Sequence, residues 1–360
     1  EYLDIDATAA GGIYLNETDG VIVTAVDSAD GLISILTGGD TLLTHVESDT
    51  DADANDISVI ASAGDITIAD AGVNAGAAGD VVIEATAGAI DDAQANVNTT
   101  TDITGDVVTL TSLDGVGGTA DIDTTAATLD VSVTAAGAIV LNESDGVDLS
   151  DIDTFNGPIT ITTGGATTVT DVTSLTDADA NDITITVTAG DVEVDTLNAG
   201  ATAGDVVVTV AAGSLLDAVG SDSLITADDV TLQVAAAIGS GANAINSTAV
   251  EYLNIDTTTG GIHLNESDGV IATAVDAASG LISITTAGDT VLTHVASATD
   301  LDANDITVVA SAGDITIGEV LGVGGTATDV TLTATAGSIN DANDDIVVDI
   351  LGDVVTLTAR

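Results

Sequence analysis

The chain has 360 residues, of which 59 are acidic and one, Arg360, is basic, so that its formal net charge is −58. Such a chain cannot neutralise phosphate groups, which excludes nucleic acid and anionic membrane surfaces as partners. Its apolar residues are mostly Ala, Val, Ile and Leu, with three Tyr, one Phe and no Trp, Met or Cys, which argues against an aromatic-rich globular core and excludes disulfides and thiolate sites.

A block of about 125 residues repeats along the chain. EYLDID at 1–6 returns as ATLDVS at 127–132 and as EYLNID at 251–256. LNETDG at 15–20 returns as LNESDG at 141–146 and 264–269, and DADAND at 51–56 returns at 177–182 and, as DLDAND, at 300–305. We therefore divide the chain into block 1 (1–126), block 2 (127–250) and a shorter block 3 (251–360).

A shorter period of about 25 residues lies inside each block. Each unit starts with Gly or Asp before an alternation of apolar and polar residues, the pattern of a strand with one buried face. These starts are Gly31, Asp56, Asp80, Asp106, Gly157, Asp182, Asp205, Asp229, Gly280, Asp305, Asp329 and Asp353. The steps are 23 to 26 residues, and the two gaps of 51 residues predict one further start each, near Leu129 and Leu253. Five units per block are expected.

A unit of this size cannot bury its own apolar face and must stack on its neighbours. We predict an all-β fold, a parallel β-solenoid with about 25 residues per coil and about 14–15 coils, continuous through residues 1–360. The alternative is a string of β-sandwich domains, one per block, which would not show a strong 25-residue step.

Aliphatic side chains are expected to stack from coil to coil inside this solenoid. The inner ladders are predicted at Val81, Ile83 and Ala85 and at Val206, Val208 and Val210, while Thr184, Thr186 and Thr188 face outward. Corner glycines are expected to have positive φ, because tight turns need the conformations that glycine adopts readily. They are Gly64, Gly79, Gly88, Gly190, Gly204, Gly313 and Gly352.

Four segments carry a resemblance to a known family: AGDITI at 63–68, AGDVVIEATAGAI at 78–90, AGAIVLNE at 136–143 and DVTLTATAGSIND at 329–341. The chain resembles the repeat regions of filamentous-haemagglutinin-like exoproteins, the large secreted adhesins of bacteria. This resemblance implies that the β-helix is right-handed, that the protein is extracellular, on the cell surface, and that it acts in adhesion or fibre formation.

An Asp cluster occurs once in each block and is the first candidate site. Alternating Asp residues on a loop bring several carboxylates together, and hard oxygen atoms are the ligands that Ca²⁺ prefers. Adjacent Asn55, Asn181 and Asn304 would add amide oxygens. The alternative is a solvated acidic turn whose carboxylates cap backbone N–H groups. The predicted calcium ligands are Asp51, Asp53 and Asp56, then Asp177, Asp179 and Asp182, then Asp300, Asp302 and Asp305.

A second acidic cluster follows the LNE motif, at Asn16, Glu17 and Asp19 and at the equivalent positions of blocks 2 and 3. Each copy precedes a Gly, and a turn with that Gly at positive φ explains it without a ligand, although a cation is the alternative. The three histidines, His45, His263 and His294, are interpreted as structural. His45 and His294 are equivalent, and Tyr14 takes the place of His263 in block 1.

Repetition without unique residues favours a structural or adhesive protein, a rigid acidic rod or filament that cations stabilise. Its expected partners are further copies or repeats, joined end to end through strand edges, and host, neighbouring-cell or matrix surfaces. One alternative is a polysaccharide-acting β-helix enzyme, which is disfavoured because no catalytic constellation stands out and Arg360 is the one basic residue. The other is an ice- or surface-binding module built on Thr ladders.

Overall fold

A computed structural model describes residues 1–69, 71–94, 100–118, 120–220, 222–318, 327–343 and 348–360. The fold is an all-β parallel β-solenoid of about 15 turns with about 23 residues per turn, consistent with a right-handed β-helix. The predicted fold class is therefore confirmed. Among the residues that the structure describes, no helix is long and apolar enough to cross a membrane.

The chain divides into two compact units, residues 1–176 and 177–360. The strands of unit 1 are β1 (Tyr2–Ala10), β2 (Ile13–Asn16), β3 (Val21–Asp30), β4 (Ile33–Thr37), β5 (Thr41–Leu43), β6 (Val46–Ser48), β7 (Ile57–Ala61), β8 (Ile66–Ile68), β9 (Val73–Asn74), β10 (Val81–Ala85), β11 (Ile90–Asp92), β12 (Ile103–Ser112), β13 (Ile122–Ala136), β14 (Ile139–Glu143), β15 (Val147–Asn156), β16 (Ile159–Thr163) and β17 (Thr167–Ser174).

The strands of unit 2 are β18 (Ile183–Val187), β19 (Val192–Asn198), β20 (Val206–Val210), β21 (Leu215–Asp217), β22 (Leu224–Val234), β23 (Ile245–Thr257), β24 (Ile262–Glu266), β25 (Val270–Ala277), β26 (Ile282–Thr286), β27 (Thr290–Leu292), β28 (Val295–Ser297), β29 (Ile306–Ala310), β30 (Ile315–Ile317), β31 (Val330–Ala334), β32 (Ile339–Asp341) and β33 (Val355–Ala359). Whether residues 1–360 form one continuous solenoid stays a prediction.

Each coil has two sides. One, the flat side, is a straight five-residue strand such as β4, in which Ile33 and Ile35 face inward and are buried. The other, the bent side, has two shorter segments separated by a corner, such as β5 and β6. The next coil begins with β7, which pairs in parallel with β4. The period of two in the sequence thus places alternate aliphatic residues inside on each side.

The predicted inner ladders are confirmed in both units. In unit 1, Ile83 is fully buried between Val59 and Leu110 of the adjacent coils. In unit 2, Val208 lies between Ile185 and Leu232 in the same way. Stacking of like aliphatic side chains fills a narrow interior without aromatic residues, which explains how this composition yields a folded core.

The flat and bent sides exchange where one block gives way to the next. In unit 1, Leu129 of the flat side pairs with Leu149 of the bent strand β15, and Ile122 of the bent side pairs with Leu141 of the flat strand β14. In unit 2, Leu253 pairs with Ala272 of the bent strand β25. On the other side of that unit, Ile245 pairs with Leu264 of the flat strand β24. Equivalent sequences therefore lie on opposite sides of a unit.

This exchange corrects the predicted number of coils per block. Leu129 and Leu253, near which unit starts were predicted, lie inside β13 and β23, which begin earlier, at Ile122 and Ile245. Five coil steps lead from Ile13 to Leu129 on one side. The block 2 copy of Ile13 is Ile139, half a coil further along on the other side. A block thus holds five and a half coils. The number of residues per coil also varies, because Val81 pairs with Val108, 27 residues later, whereas Leu129 pairs with Leu149, 20 residues later.

The role predicted for the corner glycines is correct at two of the seven positions. Gly64 and Gly190 have φ of 99° and 90°, whereas Gly79, Gly88, Gly204, Gly313 and Gly352 do not have positive φ. For most of these the constraint is space: a Cβ on Gly204 would lie 2.0 Å from the carbonyl oxygen of Ala199. The glycine after the LNE motif also lacks positive φ, and a Cβ on Gly146 would lie 2.7 Å from the carbonyl oxygen of Ala166.

We expect Gly165→Ala to destabilise unit 1 by about 1–3 kcal/mol, the usual cost of overpacking. A Cβ at Gly165 would lie 2.7 Å from the backbone nitrogen of Gly146 on the preceding coil, and backbone held by ladder hydrogen bonds cannot move away easily. Thermal unfolding followed by circular dichroism measures the loss. The control is Gly118→Ala, because the nearest atom to its Cβ would be 4.0 Å away. Equal stability of the two variants would contradict close coil contact.

Candidate functional site

Aspartates at the coil corners form ladders that run from coil to coil. In unit 2 the carboxylate of Asp182 accepts the N–H of Asp205 at 3.1 Å. Asp205 in turn accepts the N–H of Asp229, and Asp229 accepts the N–H of Tyr252, both at 3.2 Å. Unit 1 repeats the arrangement, with Asp80 donating its N–H to Asp56 at 3.1 Å. A corner leaves an N–H without a strand partner, and a carboxylate from the coil before satisfies it.

The predicted calcium residues take three different positions. Asp51, Asp177 and Asp300 are exposed, and each accepts an N–H from the loop one coil later, those of Ala78, Thr202 and Ala327. The central members, Asp53, Asp179 and Asp302, are exposed as well. The third members, Asp56, Asp182 and Asp305, are half-buried and belong to the corner ladders.

The neighbouring asparagines hold the loops in shape. Asn55, Asn181 and Asn304 are each 3% exposed. The amide nitrogens of Asn55 and Asn304 donate to the carbonyl oxygens of Thr50 and Thr299 at 2.8 Å. Hydrogen bonds from Asp and Asn side chains to backbone groups thus account for much of the conformation of each loop. Calcium binding by the nine aspartates stays a prediction.

Two groups of three potential metal ligands have ligand atoms within 4.8 Å of one another in the described part of the chain, and neither is a predicted cluster. The first is Asp27, His45 and Glu47 in unit 1. The second is Asp205, Asp228 and Asp229 in unit 2. Both combine residues from different coils, so that the spacing within one loop does not reveal them.

The Asp205 group lies beside the predicted Asp loop of block 2. Burial raises the pKa of Asp205, and the charges of Asp182 and Asp229 raise it further. The pKa of Asp228 is also raised, first by burial and then by the charges of Glu251, Asp177 and Asp179. The corner ladder thus continues the acidic surface of the predicted loop over several coils. The sequence signal was the Asp228-Asp229 pair, which replaces Gly105-Asp106 of block 1 and Gly352-Asp353 of block 3.

Buried glutamates are a feature that the sequence interpretation missed. Glu143, in the LNE motif of block 2, is the last inward-facing residue of β14 and is 1% exposed. Its Oε2 accepts the hydroxyl of Thr124 at 2.7 Å and the N–H of Ala126 at 3.1 Å, and its Oε1 accepts the N–H of Asp145 at 3.3 Å. Burial raises the pKa of Glu143 to about 7, although the hydrogen bonds oppose this.

The block 3 copy repeats this environment. Glu266 is 3% exposed, its Oε2 accepts the hydroxyl of Ser247 at 2.6 Å, and its Oε1 accepts the N–H of Asp268 at 3.3 Å. In blocks 2 and 3 the LNE motif lies on the flat strand that pairs with the bent side of the coil before, where the sides exchange. The signal in the sequence was the alternation Ile139, Leu141, Glu143, which places the glutamate on the inner face.

A polar groove of about 450 Å³ lies on the flat side of block 3 in unit 2. Its lining includes His263, Ser283, Thr285, Asp305 and Thr307. Burial lowers the pKa of His263. The groove offers hydroxyl, carboxylate and imidazole groups on one surface.

Comparison with protein-family models, with curated proteins and with solved structures found no match. The resemblance to filamentous-haemagglutinin-like exoproteins therefore stays an expectation, based on the coil motifs.

Proposed function

We propose that this chain is a structural and adhesive segment on the outside of the cell, a stiff acidic β-solenoid that calcium ions stabilise. The observation that carries the proposal is the corner ladder, exemplified by Asp182, Asp205 and Asp229. It fixes carboxylates on successive coils, and the chain holds one basic residue against 59 acidic ones.

Fixed carboxylates on adjacent coils repel one another. Adjacent parallel strands are about 4.8 Å apart, and two like charges at about 4 Å repel by about 1 kcal/mol in water and about fourfold more near a protein surface. The protein cannot offset this repulsion with lysine or arginine side chains. Calcium accepts six to eight oxygen ligands in flexible geometry, so it suits carboxylates that come from different coils.

A solenoid presents the same chemistry on many coils, which suits a surface that binds through repetition. The outward faces carry hydroxyl and carboxylate groups, as at Thr184, Thr186 and Asp256. We propose further copies of the repeat and host, neighbouring-cell or matrix surfaces as partners. Electron microscopy in calcium-containing buffer should show rods or filaments, and compact monomers alone would contradict the proposal.

We expect calcium to raise the thermal stability of the protein beyond the effect of ionic strength. One site adds about 1.4 kcal/mol at a tenfold excess of calcium over its Kd. The measurement is thermal unfolding by circular dichroism in CaCl₂ against NaCl and MgCl₂ at equal ionic strength. Equal stabilisation by CaCl₂ and NaCl would overturn the role of calcium.

Two variants test whether calcium binds at the Asp205 group. Asp228→Asn removes one ligand of the Asp205 group and is expected to lower the number of bound calcium ions by one in calorimetric titration. Asp256→Asn removes the same charge from an exposed position of β23 and should leave the number unchanged. Loss of one ion in both variants would indicate diffuse charge screening rather than a site.

The groove of unit 2 favours a second candidate, a protein that acts on polysaccharides. Hydroxyl, carboxylate and imidazole groups of Thr285, Asp305 and His263 line it, and such groups hydrogen-bond sugars or transfer protons. Incubation with neutral and acidic polysaccharides, followed by a reducing-end assay, tests for cleavage. Cleavage that His263→Ala abolishes would support the enzyme over the structural role.

A further inference from the structure

Three unlike side chains meet on the outer face of unit 1. Asp27 belongs to β3 and Glu47 to β6, and the two residues are in register on adjacent coils. His45 immediately precedes β6, and its carbonyl oxygen accepts the N–H of Val26, which fixes its backbone beside β3. We infer that Asp27, His45 and Glu47 form a binding site for a divalent transition metal ion, for which Zn²⁺ is the probe.

The distances between the side-chain atoms suit such an ion. His45 Nε2 lies 3.0 Å from Asp27 Oδ1 and 3.2 Å from Glu47 Oε2. A tetrahedral Zn²⁺ ion with bonds of about 2.0–2.1 Å keeps its ligand atoms about 3.3 Å apart. The two distances from His45 are within a few tenths of an ångström of this value, and all three ligand atoms lie within 4.8 Å of one another. Three protein ligands leave the fourth position for water.

Neighbouring groups orient the ligands and attract a cation. The side-chain amide of Asn74, one coil further along, donates to Glu47 Oε1 at 2.9 Å, which leaves Oε2 facing His45. Asp6 is in register with Asp27 on the coil before and adds negative charge. The three ligand side chains are 31–39% exposed, whereas the Asp27 Oδ1 atom is shielded from solvent, so that a bound ion would lose part of its water shell. Outer hydrogen bonds of this kind typically fix metal ligands.

The chain contains a natural control for this site. In block 3, His294 Nε2 lies 3.0 Å from Asp276 Oδ1, but Ala296 takes the position of Glu47, in register with Asp276. Block 3 thus has the imidazole and one carboxylate without the third ligand. The imidazole also separates this inference from the calcium proposal, because calcium binds oxygen ligands whereas imidazole suits zinc, copper and nickel.

The test is a Zn²⁺ titration of the intact chain in saturating CaCl₂, followed by NMR of the three histidine side chains. We expect the His45 signals to change fully at one equivalent of Zn²⁺, while those of His294 and His263 change only at higher concentrations. Equal responses of His45 and His294 would overturn the inference, because a lone Asp–His pair would then suffice.

Two variants complete the experiment. Glu47→Gln keeps an acceptor for Asn74 but removes the charged ligand. It should weaken Zn²⁺ binding at His45 by at least about tenfold, because mutation of a residue that only hydrogen-bonds a metal ligand already reduces affinity by that much. Ala296→Glu should create a second site, with His294 responding at the second equivalent. Binding at His45 that is unchanged by Glu47→Gln would also overturn the inference. Circular dichroism of each variant confirms that the coils remain folded.

Discussion

Ile83→Ala is expected to destabilise unit 1 by about 2–5 kcal/mol, the range for removing most of a buried aliphatic side chain. Ile83 is fully buried between Val59 and Leu110 on the two adjacent coils. Ladder hydrogen bonds hold these coils at a fixed spacing, so that the interior cannot collapse into the space. Urea unfolding followed by circular dichroism measures the change in the free energy of unfolding.

The matched control for this variant is the adjacent outward residue. Val82 is 38% exposed on the same strand, and Val82→Ala should cost no more than about 0.5 kcal/mol. Hydrogen exchange adds a spatial test, because each coil contacts only its neighbours and the loss of protection should centre on β7, β10 and β12. Similar losses for Ile83→Ala and Val82→Ala would contradict the inward and outward assignment on which the fold rests.

Glu143→Gln is expected to stabilise unit 1 by about 3 kcal/mol above pH 7. Burial raises the pKa of Glu143 from its ordinary 4.5 to about 7 in the folded protein. Between about pH 4.5 and pH 7 the folded state therefore holds a proton that the unfolded state has released. Each pKa unit of this difference corresponds to about 1.4 kcal/mol of stability. The stability that this group contributes is fully present below about pH 4.5 and is lost as pH rises through 7. Gln keeps the inward side chain without the charge.

The measurement is the free energy of unfolding of both proteins between pH 4 and pH 8. The difference between them should grow with pH from 4.5 to 7 and then level off. Asp27, Asp130, Asp153 and Asp229 also have pKa values raised first by burial, so that some pH dependence of the same sign remains in the variant. Glu84→Gln removes a charge from an outward position of β10 and is the control. A pH-independent difference between Glu143→Gln and the parent protein would refute the buried, proton-holding glutamate.

The repeat pattern predicted the coils but not where each turn ends. Alternation in segments such as 81–85 identified the buried rows, because the side-chain period of a strand is a local property. The repeats predict five units between Ile13 and its copy Ile139, whereas the structure places five and a half coils there. Loop lengths differ from corner to corner, and only pairing between coils shows where one turn ends.

The sequence likewise predicted some of the candidate sites and not others. The Asp loops at 51–56, 177–182 and 300–305 were visible as motifs, and the structure assigns several of their side chains to backbone capping. The groups at Asp27 and Asp205 were not visible, because their members come from different coils.

Residue types and a period of two were enough to predict a stack of short parallel strands with aliphatic residues inside and an acidic surface. The side of a unit that each block occupies, the need for small residues at Gly146 and Gly165, and the carboxylates that meet became apparent only from the fold. The physical reason is that these properties depend on contacts between residues about 20 or more positions apart, whose register is set by the length and path of every intervening corner.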